Sequence, residues 1–423
     1  MSSKMTALVI FLTAYALFIF LPKKRTHVAV MAAILTIIAG VVSLKEAFFA
    51  VNWNVMGIFI GTLVVADIFM ESRVPAYIAE IVVNKAKNTG WAILFICVLT
   101  GFISAFVENV ATILIVAPIA LSLAKKLKIN PINMMIAIAV SSNLQGAATL
   151  IGDPPSMLLG GFAKMGFMDF FFYKGKPSIF FAVELGAVAS FIVLYFIFRK
   201  HKEKTKLVPS EKVKSWVPTR ILIALIFALG ASSFFDINFS YMAGAICILF
   251  AIISIIWAKL AASKSVLTGL KSLDWDTTLF LIGVFIMVGS ITATGWIGVI
   301  SDSLSNIIGS NIFLGYLMIV FISVFFSAFI DNVPFLAAML PVGVSVSKTL
   351  GIDPSLLLFG LLIGASLGGN ITPIGASANI VSMGILKKEG YDVKFGEFMK
   401  IGLPFTLAAV IAASLFVWFI WHP

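Results

Sequence analysis

Two acid–amide pairs stand in the middle of long apolar runs: Glu108-Asn109 inside 91–124, and Asp331-Asn332 inside 311–347. A carboxylate in bilayer hydrocarbon costs roughly 2.5–3.5 kcal/mol on insertion scales. Two chemistries suit an acid kept there. It can supply oxygens to a cation such as Na+, or it can take up and release a proton. Capping the helix that follows is the simpler use, by the acid or by Asn109 or Asn332. A cap does not need a charge, and an acid in both runs favours an ion role. Glu108, Asn109, Asp331 and Asn332 are therefore the candidate Na+ ligands.

Two further stretches mix amides, hydroxyls and helix breakers. "NLQGAATLIGDPPS" carries Asn143, Gln145, Thr149 and Asp153, with Pro154 placed to restart a helix after an Asp153 cap. "GGNITPIGASAN" carries Asn370, Thr372, Ser377 and Asn379, and Pro373 cannot continue a backbone ladder. Carbonyls freed before a break can bind a cation, and N–H groups of the restarted helix can bind an anion. Packing of small residues between helices is the bland alternative. Asp67 and Glu184 lie near helix ends, where water reaches them.

The elements that must hold these residues are membrane helices. Hydrophobic residues make up 61% of 423, charged residues 12%, and mean hydropathy is +1.09. A soluble domain is about half apolar and a quarter charged. Continuous runs near 20 residues imply an all-α polytopic protein in the lipid bilayer rather than a barrel. The formal charge of +11 then reflects basic cytoplasmic loops, not a nucleic-acid partner. Cys97 and Cys247 are single, His27, His201 and His422 are scattered, and no phosphate-binding loop occurs. No disulfide, metal cluster, cofactor or ATP motif follows. The basic Lys23-Lys24-Arg25 follows the first apolar run rather than preceding it, so that run reads as a spanning helix and not a signal peptide.

Sliding the chain on itself by 223 residues superposes Glu108-Asn109-Val110 on Asp331-Asn332-Val333, Pro118 on Pro341, Thr149 on Thr372 and Gly152 on Gly375. With a one-residue slip, Trp53 meets Trp275 and Gly61 meets Gly283. The expected organisation is a first repeat over 1–205, a cytoplasmic linker over 206–216 and a second repeat over 217–423. Runs 91–124 and 311–347 are too long for one crossing and short for two, so both read as re-entrant hairpins. Segments 132–163 and 355–386 read as broken helices, and 75–87 and 296–308 as amphipathic helices lying at each face. Each repeat then has five crossings, about 10 in all, and the second is inverted. With both termini external, the internal loops hold all but Lys4, Lys45, Lys164, Lys174, Lys176 and Lys348 of the 30 basic residues, including Arg25. Inverted repeats with interrupted helices are a transporter architecture whose site lies near the midplane.

"SAFVENVATILIVAPI" with "NLQGAATLIGDPPS", and "SAFIDNVPFLAAMLPV" with "GASLGGNITPIGASANI", resemble the ion-transporter superfamily of arsenite permeases, NhaD-type sodium/proton antiporters and citrate or dicarboxylate permeases. The nearest subgroup is the P-protein-like one. The resemblance covers nearly the whole chain from about residue 50. It implies a plasma-membrane carrier whose hairpins and broken helices move against a scaffold in an elevator-like manner, often as a homodimer. Dicarboxylate relatives carry Ser-Asn-Thr at each tip, and here only the asparagines match. Two acidic tips would repel a di- or tricarboxylate unless cations or protons neutralise them.

The expected function is secondary active transport of a small inorganic ion or solute coupled to H+ or Na+, arsenite-permease-like, with sodium/proton antiport as the alternative. A citrate or dicarboxylate symporter is a weaker reading. Polarity gathered at four breaks rather than along continuous faces argues against a channel. An intramembrane enzyme would need a nucleophile–base pair or metal ligands that the sequence does not show.

Overall fold

A computed structural model describes residues 2–127, 129–203, 211–236, 238–262, 274–309 and 311–423. The linker expected at 206–216 falls outside this set at 206–210, as do Lys128, Lys204, Lys206, Lys264 and Lys271.

The described chain is helical apart from short connections and a small hairpin pairing Phe172–Tyr173 with Lys176–Pro177. The first half holds α1 (Ser3–Phe20), α2 (Arg25–Ile38), α3 (Leu44–Ala50), α4 (Trp53–Glu71), α5 (Val74–Lys85), α6 (Thr89–Ser104), α7 (Asn109–Leu127), α8 (Ile132–Gly146), α9 (Pro154–Ala163) and α10 (Ile179–Phe198). The second half holds α11 (Val217–Ser232), α12 (Met242–Ala262), α13 (Trp275–Ala293), α14 (Trp296–Ile308), α15 (Ile312–Ser327), α16 (Asn332–Leu350), α17 (Pro354–Gly368), α18 (Ser377–Lys388) and α19 (Phe395–Trp421). Among the described residues, nine helices are long and apolar enough to cross a membrane. Apart from α3, each first-half helix has a second-half counterpart in the same order.

Packing sorts the helices into two bodies. Helix α4 lies on α12, and its counterpart α13 lies on α2; α1, α3 and α11 complete this group. The other body holds α6–α10 and α15–α19, with α10 against α19, α6 against α8 and α15 against α17. Helices α5 and α14 link the bodies, each packing on a long helix of the second, α7 or α16. The most extensive direct helix contacts between the bodies run through α4 to α7 and α9, and through α13 to α16. Gly61 and Gly283, aligned by the repeat, mark the two crossings in the first body. A Cβ on Gly283 would come within 2.7 Å of the Ala29 backbone, and one on Gly61 would strike that of Cys247. Bare backbones let these helices approach closely where lipid offers no hydrophobic drive.

Four helices are interrupted. The α6–α7 turn occupies Ala105–Glu108, and the α15–α16 turn occupies Ala328–Asp331. Between α8 and α9 the chain turns over Ala147–Asp153, and between α17 and α18 a single 3-10 turn, Gly369–Ile371, precedes Thr372–Ala376. Both breaks close on themselves through glycine. A Cβ on Gly375 would sit 2.6 Å from the Gly369 carbonyl oxygen, and one on Gly152 would collide with that of Gly146. Gly152→Ala is expected to open the first break, costing about 1–3 kcal/mol through overpacking. A fall in detergent thermal stability, together with loss of transport, checks this.

Candidate functional site

Each acid begins a helix. Glu108 accepts the Ala111 N–H at Oε2 (3.0 Å), and Asp331 accepts the Val333 N–H at Oδ1 (3.1 Å). Asp153 does the same for α9, taking the Ser156 N–H at 3.1 Å with Pro154 at the first helical position. Capping is therefore real in all three places, and the acids rather than the asparagines provide it. It uses only part of each carboxylate. Asp153 Oδ2 is fully buried with no hydrogen-bond partner among the described residues.

The tips are tied to the breaks by hydroxyls. Thr149 donates to the Ala105 carbonyl, and its repeat partner Thr372 donates to the Ala328 carbonyl. Both threonines are fully buried. The breaks thus hold the hairpin turns in place through one neutral bond apiece. Thr372→Val keeps the shape and strands the Ala328 oxygen, so a loss of about 1–3 kcal/mol is expected. Detergent unfolding of that variant, with Thr149→Val as its symmetry partner, measures it.

Amides then join the halves. Ser104 donates to Asn109 Oδ1 (2.6 Å), and Asn109 Nδ2 donates to Asn143 Oδ1 (3.3 Å). Asn143 Nδ2 donates to Asn370 Oδ1 (3.0 Å) and Asn379 Oδ1 (2.9 Å). Asn370 passes its own N–H to the Val140 carbonyl, and Asn379 to the carbonyls of Gly369 and Thr372. Every donor in the chain from Ser104 to Thr372 points the same way. All four asparagines are buried, so this wiring fixes the centre of the second body across both repeats.

Charge gathers beside it. Arg25, at the start of α2, forms an ion pair with Asp331 Oδ2 and lies over the Phe280 ring at 5.1 Å. Glu108, Asp274 and Asp276 lie within electrostatic reach of the same guanidinium, and Asp153 and Asp274 within reach of Glu108. Tyr15 of α1 donates to the Pro334 carbonyl at 2.5 Å. Both acidic tips therefore converge beside the α1–α2 junction. The described residues hold no group of three or more His, Cys, Asp or Glu side chains able to hold a metal ion.

The citrate transporter family profile matches residues 15–364 and again 319–423. The chain belongs to the citrate transporter family. An uncharacterized transporter of Mycobacterium tuberculosis is 29% identical to it over 425 residues, covering 97% of each chain. The P protein of Mus musculus is 26% identical, over 95% of this chain and 58% of its own length. The crystal structure of the Alcanivorax borkumensis YdaH transporter superposes with a TM-score of 0.61 at 12% identity, covering 87% of this chain and 86% of that one. That last likeness is one of fold. This citrate transporter family member is an integral membrane transporter with the helical, repeat-built architecture expected from its sequence.

Not all candidate residues meet at the centre of this family member. Asn109, Asn143, Thr149, Asn370, Thr372 and Asn379 are joined as described, with Asp153 capping α9 beside them. Glu108 and Asp331 stand at the tips. Gln145 turns toward α10, where it lies against Glu184 in a cavity of about 240 Å³ that Cys97, Ser141 and Phe405 also line. Ser377 is half-buried at the start of α18 and makes no side-chain hydrogen bond among the described residues; the same holds for Asn332. Sequence reasoning missed Ser104 and Ser142, whose hydroxyls hold Asn109 (Ser142 Oγ to the Asn109 carbonyl, 3.3 Å). It also counted Arg25 only as a basic loop residue. Serine six residues before each tip-flanking valine, as at Ser104 and Ser327, was the available signal for the first. Arg25 has no repeat counterpart and left none.

Proposed function

We propose that this protein is a secondary active transporter coupling H+ or Na+ to a small inorganic ion or solute. The carrying observation is the convergence of two acid-bearing tips on an amide relay that joins the halves. Glu108 and Asp331 supply the coupling cation's charge partner, with Asn109 and Asn332 beside them. The relay and the two breaks give the solute hydrogen-bonding groups without a fixed net charge. The body holding the tips moves against the body of α1–α4 and α11–α13, an elevator-type motion supported by the sparse contact between them. A cavity of about 640 Å³ at that interface, lined by Asn52, Asn54, Gly161, Phe162 and Tyr241, leaves room for sliding. The charge bias supports external termini and a cytoplasmic linker in the plasma membrane, and the first body offers the surface for a homodimer.

Sodium/proton exchange is the alternative within this reading, using the acids alone. The family's description makes citrate a third solute to test, although it would meet two acidic tips offset only by Arg25 and a bound cation. Reconstituted protein should accumulate one of sodium, arsenite, phosphate or citrate only under an imposed pH or sodium gradient. Uptake at equal rates with no gradient would sink the coupled reading, and single-channel currents would replace it with a channel.

A further inference from the structure

The two tips are not equivalent, although the repeat aligns them. Asn109 at the first is locked by Ser104, Ser142 and Asn143, and the Glu108 carboxylate faces no ion-pair partner within 4 Å among the described residues. At the second, the Asp331 carboxylate is already matched by Arg25, and the Pro334 carbonyl by Tyr15. Both partners belong to the first body, whereas Asp331 and Pro334 belong to the second. The counterpart of α2 is α12, which presents no basic residue from Met242 to Trp257. Among the described residues, no cation forms an ion pair with the first tip, and Arg25 acts on Glu108 only at longer electrostatic range.

From this asymmetry we infer that Arg25 is a tethered counter-ion that holds the second tip and excludes the coupling cation from Asp331 while the bodies are in this arrangement. The inference rests on the proposed coupling at the tips. The pair is only partly shielded, with side-chain exposures of 22% for Arg25 and 20% for Asp331. Its loss on movement leaves the Asp331 carboxylate without its ion-pair partner at the boundary between the two bodies. The guanidinium at Oδ2 and the Val333 N–H at Oδ1 occupy part of each oxygen, and the positive charge of Arg25 beside the carboxylate opposes a second cation there. Arg25 and the coupling cation compete for Asp331, and displacement of Arg25 removes the ionic tie between the second tip and the first body, leaving Tyr15 on the Pro334 carbonyl. The coupling cation's apparent affinity is then reduced by the fraction of time Arg25 occupies the acid. Phe280 and the acids Asp274 and Asp276 keep the guanidinium close when it is displaced.

The test uses full-length protein, with sodium as the titrant and transport and thermal shift as readouts. Arg25→Gln should lower the half-saturating sodium concentration on the order of tenfold, as expected if Arg25 occupies Asp331 about nine-tenths of the time. In an Asp331→Asn background the same change should have no effect. An unchanged half-saturation in Arg25→Gln, or an equal shift in both backgrounds, overturns the inference. The swap Arg25→Asp with Asp331→Arg serves as a folding control. It should recover part of the thermal stability lost in either single change, short of the helix cap that Asp331 gives Val333, but not the sodium response. A second readout does not depend on coupling. With Cys97 and Cys247 replaced by Ser, Asn332→Cys should react faster with a membrane-impermeant thiol reagent when Arg25 is Gln. If the wild type shows no sodium or proton dependence, coupling at the tips fails, and this labelling rate alone decides whether Arg25 holds the tip. Equal rates then reject it.

Discussion

Asn143→Asp is expected to abolish gradient-driven transport, with a loss on the order of a hundredfold or more. The side chain keeps its size. What changes is direction: a carboxylate has no N–H to give, and Asn143 gives two, to Asn370 Oδ1 and Asn379 Oδ1. Neither partner can turn its amide round to compensate. Asn370 already donates to Val140, and Asn379 to Gly369 and Thr372, so a flip breaks those bonds instead. Two buried acceptors are left facing a third acceptor. At about 1–3 kcal/mol for each unsatisfied group, the junction between the halves loses several kcal/mol, and each 1.36 kcal/mol is tenfold in a rate. Protonating the new acid returns one donor, so partial recovery on acidification is the accompanying signature. Uptake into proteoliposomes across a pH series measures it, with Asn143→Ala as comparison. Full activity of Asn143→Asp at neutral pH would show that the relay is not part of the transport path.

Glu108→Gln is the second large effect, and it separates capping from coupling. The glutamine side chain can still accept the Ala111 N–H that Glu108 accepts at 3.0 Å, so α7 keeps its cap. Thermal stability should move by no more than about 1 kcal/mol, within the usual range for a conservative cap change. The charge is gone. Uptake should therefore lose its dependence on the sodium or proton gradient and fall at least tenfold under a gradient that drives the wild type. The informative outcome is the split between the two readouts. Intact cation dependence in Glu108→Gln leaves Glu108 a helix cap and nothing more, and moves the coupling acid to Asp331 or Asp153.

Much of the site could be read from the repeat. Spacing alone aligned Glu108 with Asp331, Thr149 with Thr372 and Gly152 with Gly375, and the structure gives the last two pairs matching contacts. The reason is physical. Each pair serves the same local geometry twice, a hydroxyl tying a break to a tip or a glycine allowing two backbones to touch, and local geometry is written in neighbouring residues. Gln145 shows the limit. It lies two residues from Asn143, and on a helix that spacing turns a side chain about halfway round. The polar cluster in "NLQG" therefore serves two faces, one at the relay and one at the Glu184 cavity. A mixed cluster in sequence does not show which member faces which way.

By itself the sequence determined the solvent, the helical class, the repeat and where the helices break. Those properties follow from composition, run length, turn chemistry and self-similarity, all local. Only the tertiary structure decided which amides meet across the halves, that at both tips the acid rather than the asparagine caps the helix, and that Arg25 stands at the second tip. An ion pair between positions 306 residues apart leaves no trace in the residues around either one. It exists because α1 and α2 pack as one body beside the tip of another, and that arrangement is set by the sum of helix contacts rather than by any short segment.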